Sequence, residues 1–183
     1  RGGVPVGPSR FVGPGEDARG ALQHFLRGTV TSLSAGRAVP FDQFVIKPSI
    51  GAGSRDTARY RCSDALRALE HLSRLVGVER RSALLQPYLA SVDQQGETAL
   101  VYFGGEASHA FRKGPLLRLD SALVEGPVAP EELTARQPGA DERALAAAAA
   151  APDTVGRSRG GCRAAPSPLM GVSLGRRCRV PGR

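Results

Sequence analysis

Two stretches of the sequence carry residue types at spacings that could do chemistry. The first, Phe44 to Tyr60, reads Phe-Val-Ile-Lys-Pro-Ser-Ile-Gly-Ala-Gly-Ser-Arg-Asp-Thr-Ala-Arg-Tyr. A short apolar strand ends in Lys47, breaks at Pro48, and passes into a loop holding Gly51, Gly53, Ser54 and Arg55. The chain has one other lysine, Lys113, which closes the second stretch in the run Arg112-Lys113-Gly114. A lysine at a strand end before glycines suits phosphate: the ammonium is a compact point charge, and glycines let backbone N–H groups approach oxygens closely. The P-loop of NTPases has the opposite order, with its lysine after the glycines. On these residues alone an ordinary Gly/Ser connection reads the same.

The elements around these stretches follow from pattern. Val4–Val6 reads as the end of a strand, and Phe11–Gly15 as a Pro/Gly turn. Glu16 and Asp17 open a helix to Arg27, with acids in its first turn to complement the helix dipole. The polar, turn-rich residues 29–40 lead into the lysine strand. Ser63 is the expected N-cap of a helix over Asp64–Val76 that Gly77 stops, and His71 within it reads as a surface or packing histidine. A short strand follows at 83–89. Glu97–Phe103 and Glu106–Arg112, joined by Gly104-Gly105, form a β-hairpin with two mostly apolar faces. His109 on its second strand reads as a packed sheet residue or one approaching a substrate. Pro130–Leu133 reads as a helix start, and the alanine-rich run Asp141–Ala151 as a helix.

Composition narrows the class. The 183 residues fit one domain or two small lobes, and no 18-residue apolar run could span a membrane. Three widely spaced cysteines offer neither zinc spacing nor a disulfide framework, so reduced thiols in a cytoplasmic protein are the default. The net charge of +8 is concentrated: residues 153–183 hold seven arginines and a single acid, Asp153. Residues 152–183 show no period of 2 or 3.6, and their Arg/Gly/Pro/Ser/Ala mixture cannot bury enough apolar surface to order a chain. They read as a disordered basic tail with non-specific nucleic-acid attraction, or as the product of a shifted reading frame.

The order of motifs then becomes recognisable. Lys47-Pro48 with Ala52-Gly53-Ser54-Arg55-Asp56-Thr57-Ala58-Arg59-Tyr60, Gln86-Pro87-Tyr88-Leu89, Gly96-Glu97-Thr98 and Arg112-Lys113-Gly114 together resemble the ATP-grasp superfamily. Within it they are similar to the actinobacterial branch of cycloserine-forming cyclo-ligase-like and RimK-like proteins. The resemblance covers Val4 to Ala150. It implies an α+β ATP-grasp fold, the central and part of the C-terminal lobe, followed by the tail. The expected divisions are 1–30, a remnant of the junction with a further lobe; 31–86, the small lobe; 87–151, part of the large lobe; and 152–183, the tail.

It also implies roles. Lys47 contacts phosphate beneath a flap bearing Gly51, Gly53, Ser54 and Arg55. Gln86, Tyr88 and Leu89 form the hinge whose backbone pairs with adenine, and Glu97 accepts hydrogen bonds from ribose hydroxyls. Arg112 and Lys113 reach phosphate or the acyl phosphate. The implied cofactors are ATP and Mg2+, and the implied activity is carboxylate–amine ligation, with a homo-oligomer left open. In the family, acids on a later strand pair hold the magnesium. Here Asp153 is the last acid, so the resemblance implies a chain truncated at its N-terminus, without the metal-binding segment, and with little or no turnover. A nucleotide-binding remnant without catalysis and a nucleic-acid-binding protein remain the alternatives.

Overall fold

The computed structural model describes residues 8–31, 38–51, 54–103, 105–119, 132–150 and 169–175. Its contacts divide the chain into two units, and each is described by itself. Of the described residues, 8–90 and 116–119 form the lysine-strand unit, and 91–115, 132–150 and 169–175 form the hairpin unit. The expected strand remnant at Val4–Val6 lies outside the described residues.

The lysine-strand unit contains β1 (Arg10–Val12), α1 (Ala18–Leu26), β2 (Thr29–Thr31), β3 (Ala38–Pro40), β4 (Gln43–Pro48), β5 (Ala58–Arg61), α2 (Ala65–Ser73) and β6 (Ala83–Pro87). Its antiparallel sheet has the order β1-β6-β4-β5, and β2 pairs separately with β3. Alternation sends Phe44, Ile46, Tyr60 and Leu85 to one face, where they meet Leu22 and Phe25 of α1 and Leu72 of α2. Each such side chain, fully buried, contributes about 1.5–3 kcal/mol.

Several local expectations change here. Phe11 and Val12, expected in a turn, extend as β1, because Val12 opposite Ala83 is wholly buried and that burial outweighs local turn propensity. The acids of α1 sit ahead of its first turn: Asp17 is the N-cap and accepts from the Arg19 amide at 3.0 Å, while Glu16 pairs with Arg10. Ser63 does not cap α2. A 3-10 turn over Cys62–Asp64 precedes that helix, and the Ser63 hydroxyl donates to the Asp64 carboxylate. Nor does Gly77 stop it. The last turn widens into a π-helical one over Arg74–Val78, which buries both Leu75 and Val76, and the reversal comes at Arg80 with φ +55°.

The hairpin unit contains α3 (Ser91–Gln95), β7 (Glu97–Phe103), β8 (Glu106–Lys113), β9 (Leu133–Ala135), α4 (Ala140–Ala150) and β10 (Leu169–Gly175), with the sheet order β10-β7-β8-β9. The β7–β8 hairpin and α4 lie where the sequence put them. Leu133, expected in a helix start, instead begins β9, because Leu133–Ala135 pair with Phe111–Lys113 along the edge of β8. Residues 169–175 fall in the stretch expected to be a structureless tail, yet they pair along all of β7 as β10. Ladder bonds are made by backbone groups and need no side-chain period, and an unpaired edge of β7 would attract such a partner. The rest of that tail lies outside the described residues. The architecture is α+β, and no helix among the described residues is long and apolar enough to cross a membrane.

Candidate functional site

In the lysine-strand unit the face away from the helices gathers the candidate groups. Parity places Gln43, Val45 and Lys47 of β4 on it, and the register sets Val45 opposite both Arg59 and Gln86, and Lys47 opposite Leu84. Lys47 is half-buried there. The strand does not break at Pro48, which pairs with Ala83. The amide of Ser49 donates to Ser82 on the β6 side at 2.9 Å, so the Pro48 nitrogen faces the side that β5 has already left. A proline is tolerated at such a position because no ladder bond is lost.

The loop after Lys47 is held at its returning end. Gly51 and Arg55 are exposed, and Gly53 lies outside the described residues. Ser54 and Asp56 take left-handed backbone, with φ +60° and +54°. The Asp56 carboxylate accepts from Arg81 at 2.7 Å and from Arg74 at 3.1 Å, and the Arg81 hydrogen bond leads in holding its pKa below the ordinary value. Glu79 pairs with the same two arginines. Nearby, His71 is buried, and its Nδ1 meets the Tyr60 hydroxyl at 2.9 Å. This fits the packing role expected for His71. Burial pushes the histidine down to about 4 and the tyrosine up to about 12.

At the exit of β6, Gln86 donates to the Ser9 hydroxyl at 2.8 Å, and the Tyr88 amide donates to the Gln43 carbonyl at 2.8 Å. The Tyr88 amide, expected among the adenine contacts, is therefore occupied by β4. Leu89 follows, more exposed. Over the Tyr88 ring lies the Arg59 guanidinium, 3.5 Å from the centroid.

The hairpin unit separates two neighbours that the sequence reading grouped. Glu97 pairs with Lys113, while Thr98 pairs with Arg112. Glu97 and Lys113 thus share one face, and Arg112 lies on the other, where Leu100 and Tyr102 pack against Ala146 of α4. Arg112 Nε donates to the Gln95 carbonyl at 3.0 Å, Arg136 donates to the same carbonyl at 3.1 Å, and Glu132 lies 3.7 Å from Arg112. Arg112 therefore fastens the turn that delivers Glu97. Gly96 in that turn has φ +67°, and a Cβ there would collide with the Lys113 carbonyl. Beneath it Glu142 accepts from the Thr98 hydroxyl at 2.6 Å and from the Gly139 amide at 2.7 Å, the second bond being half of a capping box. His109 is exposed rather than packed, with its ring 6.4 Å from Phe103 and 6.3 Å from Phe111.

No family model matches the sequence. Over 149 residues, 81% of this chain and 46% of the relative, it is 40% identical to the cycloserine biosynthesis protein DcsG of Streptomyces lavendulae. The crystal structure of D-cycloserine synthetase DcsG is similar with a TM-score of 0.68, at 40% identity and the same 81% and 46% coverage. The chain belongs to the ATP-grasp family. It spans about half the length of DcsG, at 46%. Two structures of the ATP-grasp ligase PsnB with a minimal precursor, one also holding Mg and ADP, are 16% identical with TM-scores of 0.43 and 0.45; they match 81% of this chain and 39% and 38% of their own.

Within this ATP-grasp chain the sequence reading passed over Arg59, Arg136 and Glu142. Arg59 was legible in principle, since it stands two residues before the exposed strand end at Arg61, in parity with Val45 and Lys47. Arg136 carries no local signal, because its partner Gln95 is 41 residues away in sequence; Glu142 has a local one in its capping bond to Gly139, but nothing nearby announces its bond to Thr98.

Proposed function

We propose that this ATP-grasp chain binds ATP with Mg2+ and serves a ligase that joins a small carboxylate to an amine. The observation that carries this reading is Lys47, set on the helix-free face of its sheet beside a loop whose far end is anchored by Asp56. The 40% identity to DcsG supports it. In the reaction an oxygen of the substrate carboxylate attacks the γ-phosphorus and ADP departs. The amine nitrogen then attacks the acyl phosphate, expels inorganic phosphate and gives up a proton. Lys47, Gly51, Gly53, Ser54 and Arg55 neutralise and orient phosphate oxygens, which is positioning and electrostatics rather than covalent chemistry. Glu97 accepts from ribose hydroxyls, and Lys113 faces the transferring phosphate. Arg112 serves this work through the Gln95 turn. With the Tyr88 amide held by Gln43, the Leu89 amide is the donor assigned to the adenine edge, and Gln86 fixes the strand before it.

Among the described residues no three His, Cys, Asp or Glu side chains stand together as a metal seat. In this reading Mg2+ enters as the counter-ion carried by the triphosphate, and no step is assigned to it. A cytoplasmic location belongs to this reading, supported by the proposed use of ATP and consistent with the thiol of Cys62.

The test is heat protection of the full chain by MgATP, together with ADP release in the presence of candidate amino-acid substrates. Lys47→Met should weaken MgATP roughly tenfold or more, as loss of a charge-assisted phosphate contact requires, with the far-ultraviolet dichroism unchanged. Absence of protection in the unmodified chain sinks the reading. Protection without ADP release removes the ligase and leaves nucleotide binding.

A further inference from the structure

Arg59 occupies the middle of β5, on the face shared with Lys47, and is only 9% exposed. Among the described contacts of its guanidinium, Nε donates to the Gln43 side-chain oxygen at 2.8 Å, Nη1 donates to the Leu117 carbonyl at 3.2 Å, and the plane lies 3.5 Å from the centre of the Tyr88 ring. An amide oxygen, a carbonyl and a ring face together exploit the planar fork of arginine, which a lysine ammonium cannot reproduce. The backbone of the β6 exit makes its last ladder bond at the Tyr88 amide, and Leu89 follows directly. At that point the Tyr88 ring, covered by the Arg59 guanidinium, is a further hold on the chain.

We propose that Arg59 is a positioning residue for the base end of the nucleotide, fixing the Tyr88 ring so that the Tyr88–Leu89 backbone meets an adenine edge in one orientation. This rests on the ATP-binding reading above and adds to it the residue that sets base selectivity. Arg59 acts through Tyr88 and touches no phosphate. Its removal should therefore weaken recognition of the base and spare recognition of the triphosphate. The apolar core lies on the opposite face of the sheet, so Lys or Met at this position leaves that core packed.

The experiment compares the full chain with Arg59→Lys, Tyr88→Ala and the double variant, measuring dissociation constants for MgATP, MgGTP and magnesium tripolyphosphate by calorimetry. Arg59→Lys should weaken MgATP roughly tenfold, the scale of a desolvated guanidinium–ring contact with its hydrogen bonds. The preference for ATP over GTP should shrink by the same factor, and tripolyphosphate should bind unchanged. Tyr88→Ala should give a similar loss, and the double variant should lose no more than the larger single one, because the two side chains act as a unit. A parallel loss of tripolyphosphate affinity would overturn the proposal, since it would mark a phosphate contact or a general loosening of the fold. Unchanged base preference, or losses that simply add, would overturn it as well. An unmodified chain that binds no ATP overturns the proposed function and this inference together. One that binds ATP with unaltered variants overturns this inference alone.

Discussion

The two units bury titratable side chains by opposite means. In the lysine-strand unit His71 is buried beside an apolar core of fourteen described residues, with its Nδ1 against the Tyr60 hydroxyl. In the hairpin unit the cluster among the described side chains holds Leu100, Tyr102 and Ala146, and Glu142 beside it meets Thr98, Gly139 and Arg136. A large core can keep a histidine neutral, because the charged form would lose its hydration without compensation. A buried carboxylate, by contrast, is tolerated where hydrogen-bond donors replace its lost hydration, as Thr98 and Gly139 do for Glu142. The difference bears on the proposed function: Lys47 is mounted on the apolar unit, whereas Glu97 and Lys113 are paired beside a polar network.

The largest effect that would break this comparison is the response of His71 to acid. Its pKa is lowered from 6.5 to about 4, chiefly by burial and further by Arg74, while Asp56 and Glu79 pull the other way. The unfolded histidine therefore takes up its proton as pH falls through 6.5, while the folded one resists until about 4. The folded state loses stability across that window, by about 3 kcal/mol, and the loss is flat below it. His71→Gln keeps an acceptor for Tyr60 and removes the titration. The opening free energy of β4 and α2 amides, read from native-state hydrogen exchange between pH 7 and 4, should fall steeply in the unmodified chain and by about 3 kcal/mol less in the variant. Parallel curves would show that the core does not hold His71 neutral.

In the hairpin unit the matching substitution is Glu142→Ala, with an expected cost of about 2 kcal/mol. It strips the fully buried Thr98 hydroxyl of its acceptor and removes the capping-box bond to Gly139. The loss should appear in exchange of β7 and β8 amides and leave β4 untouched. Thr98→Val with Glu142→Leu replaces both partners by apolar groups, and should recover most of it. If the single variant costs only a few tenths of a kcal/mol, the network is ornamental and the hairpin stands on its ladder bonds alone.

What the sequence made legible follows the same division between local and distant causes. The Gly-Gly pair between two β-prone runs, the alternation of Thr98, Leu100 and Tyr102, and the alanines of α4 are local signals, and β7, β8 and α4 formed as expected. β1, β9 and β10 exist because a distant strand offers an edge, and nothing inside three to seven residues announces that. The same holds for the candidate site. Lys47 and Glu97 could be named from their motifs, and alternation alone sends adjacent Arg112 and Lys113 to opposite faces, but which of the two shares a face with Glu97 depends on the pairing register of β7 and β8. Nor could it show that Tyr88 would spend its amide on Gln43 while Arg59 covered its ring.

The smallest expected effect concerns the loop itself, and it sharpens the comparison by separating charge from backbone within one residue. Asp56 stands at φ +54°, a conformation that asparagine tolerates as readily, so Asp56→Asn removes the charge and keeps the turn. Its carboxylate is mostly covered, but Arg74 and Arg81 are each 36% exposed, so solvent screens the network and the cost should be about 1 kcal/mol. Because the folded pKa is depressed, that contribution is complete above the ordinary value of 3.8 and disappears as pH falls through the lowered one. It therefore lies below the window assigned to His71, and the two can be read apart in one pH series. With the anchor weakened, the exposed bond after Arg55 should be cut faster by trypsin at neutral pH, with no change at sites in the hairpin unit. Equal cutting rates for the two chains would mean that the left-handed backbone at Ser54 and Asp56, rather than the arginine pair, holds the loop beside Lys47.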